Sequence, residues 1–177
     1  LAPAQYLHVA YPQPTLVSTL TQPPEYAIPY TFGNQTFELL GYDLTLDTGA
    51  ASQTTLTLTY YWRAHQSVTQ NFSVFIHLME NQDQPVILTQ TDTYPDYGNF
   101  PTSVWQPGQI FIDRLQLDIP PLAPDTHAAI FTGLYDLHTL ERMPVFTAEG
   151  EELPNWAVPI AELYITATGD IRLRIAD

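Results

Sequence analysis

Apolar and polar residues alternate along most of this chain, and the alternation is sharpest from Thr54 to Arg63. Leu56, Leu58, Tyr60 and Trp62 share one face there; Thr55, Thr57, Thr59 and Tyr61 share the other. Successive side chains of a strand point to opposite faces, so a period of two marks a half-buried strand with a Thr-rich outer side. Residues 72–80 repeat the pattern with Phe72, Val74, Ile76 and Leu78 aligned and His77 opposite them. The polar run Asn81-Gln82-Asp83-Gln84 supplies a turn, so residues 72–91 read as a hairpin. Further strands are predicted over 37–44, 110–119, 127–136, 143–146, 160–167 and 171–175, the last two joined around Thr168-Gly169-Asp170. No window sustains a helical period with caps. Roughly eight to nine strands at this spacing predict an all-β domain, a β-sandwich of immunoglobulin-like or jelly-roll type with mostly antiparallel pairing.

The first thirty residues break the pattern. Pro3, Pro12, Pro14, Pro23, Pro24 and Pro29 exclude a long helix or a central strand. Residues 1–30 therefore read as a Pro-rich lead-in or linker, and 31–177 as the β-sandwich domain. Tyr6, Val9, Tyr11, Leu16 and Val17 are apolar enough to predict that part of the lead-in lies along the domain.

Composition narrows the partners. The 177 residues suit one domain. Nineteen acids stand against five arginines and no lysine, for a formal net charge of -14. Phosphate recognition depends on clustered Lys and Arg, so nucleic acid is excluded as a partner, and anionic lipid surfaces should be repelled. With no Cys there is no disulfide, thiolate site or Cys nucleophile. No apolar run approaches the ~20 residues of a membrane helix, so direct membrane insertion is not expected. A start at Leu1 rather than Met reads as a processed or excised fragment whose anchor lies elsewhere.

Candidate chemistry is sparse. The five histidines show no ligand spacing, and no Gly-x-Ser-x-Gly elbow, phosphate loop or dinucleotide fingerprint occurs, so no catalytic residue is assigned. Paired carboxylates for glycoside hydrolysis are a matter of spatial separation, on which the sequence is silent. Asp92, Asp96 and Asn99 make a weak calcium candidate, since hard cations take such oxygens; ordinary turns use the same residues. The most distinctive segment runs from Tyr94 to Trp105. Tyr94, Tyr97, Phe100 and Trp105 can stack on sugar rings, with Asp96 and Asn99 as directional partners, so the loop is a candidate carbohydrate-binding site. The competing reading is a long connection that folds back and pins itself with Trp105 and Phe100 in the core. Trp62 is expected to be structural. Asp113 lies on the apolar face of its strand, needs a partner there, and is expected to fix the preceding loop.

The order of motifs resembles a known family. Phe32-Gly33-Asn34 and Leu39-Leu40-Gly41-Tyr42-Asp43 open the likeness, followed by residues 56–64 and 72–78. Tyr94, Pro95, Pro101-Thr102-Ser103, Trp105, Gly108, Asp113 and Gly133-Leu134-Tyr135-Asp136 continue it. The series, over about residues 32 to 147, is similar to the soluble C-terminal β domain attached to bacterial membrane glycosyltransferases of the dolichyl-phosphate-mannose-dependent type. The resemblance implies an extracytoplasmic accessory module, tethered through a membrane-embedded remainder of the parent protein. The catalytic carboxylates of such enzymes belong to the membrane part, so the resemblance implies no catalysis by this chain. A structural or protein-interaction domain is the alternative function, and a glycoside hydrolase-like enzyme the third.

Overall fold

The computed structural model describes residues 14–49, 53–80 and 85–176. The lead-in residues 1–13, with Pro3, Tyr6, His8, Val9, Tyr11 and Pro12, and the expected turn Asn81-Gln82-Asp83-Gln84 lie outside them.

Among the described residues the chain is all-β, with two antiparallel sheets packed face to face. In chain order the strands are β1 (Thr15–Val17), β2 (Tyr30–Phe32), β3 (Phe37–Thr48), β4 (Thr54–Ala64), β5 (Phe72–Glu80) and β6 (Val86–Thr93). They continue with β7 (Ile110–Ile119), β8 (His127–Asp136), β9 (Val145–Thr147), β10 (Val158–Ile165) and β11 (Ile171–Ile175). One sheet runs β1-β7-β4-β3-β2-β9 and the other β11-β10-β8-β5-β6. This is the predicted β-sandwich.

The alternation in the sequence is the cause of the core. Leu56, Leu58, Tyr60 and Trp62 of β4 are all 0% exposed, and Val74, Ile76 and Leu78 of β5 face them from the other sheet. Burying such side chains contributes about 1.5–3 kcal/mol each. Two tyrosines tie the sheets together. The Tyr60 hydroxyl meets Thr132 Oγ1 at 2.8 Å, Thr132 Oγ1 donates to the Phe75 carbonyl at 2.6 Å, and Tyr42 Oη donates to the Ile160 carbonyl at 3.1 Å. Burial pushes both phenols upward, so they stay neutral donors. At one open side, Thr91 and Thr89 of β6 donate to the Gln116 and Asp118 carbonyls on the free edge of β7. Side chains thus close a seam that no backbone ladder spans.

Several elements differ from the sequence reading: β3 runs on to Thr48 past the expected end at 44, and β9 spans Val145–Thr147 rather than 143–146. β1 and β2 were not expected; three-residue strands among prolines are too short to display a period. β10 starts at Val158 and passes through Pro159, where the ladder to β8 is irregular between Pro159 and Ala161. A bulge is where a strand tolerates a residue without an N–H. Finally, the described half of the lead-in joins the sheet: β1 pairs with β7, and Tyr26 exchanges both backbone hydrogen bonds with Tyr42 at 3.0 and 3.1 Å. Gly41 permits this contact. Its φ is +148°, and a Cβ there would lie 2.4 Å from the Tyr26 carbonyl oxygen.

Candidate functional site

The 94–105 loop connects β6 to β7 through a left-handed turn at Pro95–Gly98 and a single turn of 3-10 helix at Thr102–Val104. Its rings point mostly inward. Trp105 is 3% exposed, with its ring 5.2 Å from Phe37, 5.3 Å from Phe111 and 6.2 Å from Trp62. Its indole Nε1 donates to the Phe100 carbonyl at 3.0 Å. Phe100 is half-buried, 4.8 Å from Phe111. Trp62 lies fully buried beside them, in the structural position expected of it. The buried Thr102 hydroxyl donates to the Gln70 carbonyl and accepts the Phe72 N–H, both at 2.9 Å, so the loop is tied to the start of β5. Tyr94 is half-buried. Tyr97 alone of the four rings is exposed, at 54%, and its hydroxyl accepts the Gln116 N–H at 3.0 Å. The loop is a plug over one end of the core rather than an open row of rings.

Asp113 holds the plug from below. It is 1% exposed on the inner face of β7, and its Oδ1 accepts the Asp96 N–H at 3.0 Å. Asp96 and Tyr97 both have left-handed backbone, with φ of 52° and 51°. Such conformations cost of order 1–3 kcal/mol each and persist only where surrounding contacts impose them. The Oδ2 atoms of Asp113 and Asp96 are both buried without a hydrogen-bond partner. Burial, with the Asp96 charge as a smaller cause, pushes the Asp113 carboxyl up to about 7. Burial also raises Asp96.

The three residues of the calcium candidate each have other partners. Asp92 Oδ1 bonds His77 Nε2 at 3.2 Å on the outer face of the five-stranded sheet. The Asp96 side chain acts on Asp113, and Asn99 donates its amide to the Asp96 carbonyl at 2.8 Å. Among the described residues, no three His, Cys, Asp or Glu side chains gather as a metal site.

Two clefts were missed by the sequence reading. One, of about 620 Å³, lies between lead-in residues 17–25 and the outer face of the six-stranded sheet. Its floor carries Asp43, Thr45 and Tyr61, with Thr19, Thr21 and Glu25 opposite. The Tyr61 hydroxyl donates to Asp43 Oδ2 at 2.6 Å and the Glu25 N–H to Asp43 Oδ1 at 2.7 Å. Burial first, and then the Asp43 carboxylate, pushes the Tyr61 phenol up to about 12. The second cleft, of about 580 Å³, lies on the outer face of the five-stranded sheet, floored by Ala129, Phe131 and Pro159 and walled by residues 153–157 and Arg142. The only signal for the first was the Tyr that interrupts the Thr face of β4. The second has no local motif, because its lining comes from six separate segments.

No protein-family model, curated protein or solved structure matches the chain. Among the described residues, no helix is long and apolar enough to cross a membrane.

Proposed function

We propose that this chain is a non-catalytic accessory module, an extracytoplasmic β-sandwich appended to a membrane-associated glycosyltransferase-like protein, and that its 94–105 loop serves structure rather than ligand binding. One observation carries the choice of structure over binding: the burial of Trp105 at 3% exposure, with Phe100 packed beside it. A ring that stacks on sugar needs an open face; this indole is stacked with Phe100 and enclosed by Phe37, Phe111 and Trp62. The association with a glycosyltransferase is supported by the motif order alone. Titration of the isolated domain with oligosaccharides, by calorimetry, tests the loop's role. The reading expects no heat that depends on Tyr94 or Tyr97; saturable binding lost in Tyr94→Ala and Tyr97→Ala would restore the loop as a sugar site.

A second reading keeps carbohydrate binding but moves it. The cleft at Tyr61 joins an aromatic ring, the Asp43 carboxylate, threonine hydroxyls and Gln22, with no cation among its lining residues. Neutral polyols suit such a lining better than anions do. In the same titration, binding lost in Tyr61→Ala and kept in Tyr97→Ala would favour it.

A further inference from the structure

In a chain of net charge -14 with five arginines, three of them, Arg142, Arg172 and Arg174, lie on the outer side of the five-stranded sheet. The cleft on that face combines apolar space with one of these cations. Alanines at 129, 157 and 176 leave the volume open, and Met79, Phe131 and Pro159 make it apolar. Its size falls in the range of about 300–1,000 Å³ typical of small-molecule sites.

Arg142 is held in place before any ligand arrives. Its guanidinium lies 4.5 Å over the Phe75 ring, and Nη1 donates to the Asn155 carbonyl at 3.0 Å. Among the described residues this is its one hydrogen bond. Asp92 attracts Arg142 electrostatically, while its carboxylate makes hydrogen bonds to His77 and Tyr135. The wall that presents the Asn155 carbonyl is strained: Asn155 and Trp156 have φ of 54° and 51°. Two consecutive left-handed residues, one of them Trp, are costly and persist only where surrounding contacts impose them, so the Asn155 carbonyl is fixed in place. The one acid lining the cleft, Glu162, is paired with Arg174 and accepts the Tyr164 hydroxyl, so it does not oppose an anion bound at Arg142.

We propose that this cleft binds a small amphipathic carboxylate, with its apolar body against Ala129, Phe131 and Pro159 and its carboxylate on Arg142. A planar guanidinium offers paired donors that match a carboxylate. The immobilised side chain lowers the entropic cost of forming that pair. This goes beyond the accessory role and does not depend on it.

The test is calorimetric titration of the whole chain with decanoate and decyltrimethylammonium below their micelle concentrations and decanol below its solubility limit. Decanoate should bind saturably, decanol at least about tenfold more weakly, the usual scale of a charge-assisted pair, and the cation not at all. Arg142→Gln should bring decanoate down to the decanol level without changing decanol, and Ala129→Leu, which fills the floor, should weaken both. If Arg142→Gln does not fold, the three wild-type ligands still decide. Absence of decanoate saturation, or equal affinity for decanoate and decanol, would overturn the assignment.

Discussion

Replacing Asp113 with Asn should flatten the pH dependence of stability and raise stability at alkaline pH. An unfolded Asp ionises near 3.8; in the folded chain burial pushes Asp113 up to about 7. The folded state therefore holds this proton more tightly than the unfolded state does. Stability rises with pH only where the unfolded state binds more protons, so here it falls as pH climbs from about 4 to about 7, then levels off. Each tenfold difference in proton affinity is worth 1.36 kcal/mol, so ionisation of Asp113 costs the fold at most ~4 kcal/mol. Asp96, raised by its own burial, acts in the same direction. Asn keeps the oxygen that accepts the Asp96 N–H and replaces the unpartnered Oδ2 with a neutral donor. Urea unfolding at intervals from pH 5 to 9 reads the effect. Wild type should lose more stability than Asp113→Asn across that range, by about 1–3 kcal/mol once protein relaxation reduces the penalty. Parallel curves for the two proteins would refute the reasoning.

Trp105→Ala should cost about 3–5 kcal/mol in the same unfolding assay, since it removes the largest ring of the plug from a buried aromatic cluster. Gly41→Ala should cost about 1–3 kcal/mol and free the lead-in, because its Cβ would strike the Tyr26 carbonyl; protease sensitivity between residues 14 and 30 reads the release. The double variant Thr89→Val, Thr91→Val should lose about 1–3 kcal/mol by opening the β6–β7 seam, with faster amide exchange at Gln116, and unchanged stability would show the seam to be idle.

Much of the architecture was legible because strand period translates directly into burial. β5, β7, β8 and β11 begin and end where the alternation does. What escaped was set by distant partners. β1 exists because β7 offers an edge at Phe111, and β10 runs through Pro159 because a bulge accommodates it. The inward position of Asp113 was readable from its apolar strand face, and so was its need for a partner. For the loop rings the sequence allowed two readings, one of which turned Trp105 and Phe100 into the core; the choice between them, and the place of Tyr97 over the edge of β7, depend on Phe37 and Gln116 elsewhere in the chain. Arg142 was invisible for the same reason: its significance depends on Phe75 and Asn155, far from it in the chain.

The most direct test of the plug is hydrogen exchange at the indole N–H groups, followed by NMR. Trp105 Nε1–H, bonded to the Phe100 carbonyl beneath the loop, should exchange as slowly as the core amides of β4, while the Trp156 indole, bonded only to the exposed Glu152 carboxylate, exchanges faster. Exchange of Trp105 as fast as that of Trp156 would mean the loop is open, and would return its aromatic rings to the role of a binding surface.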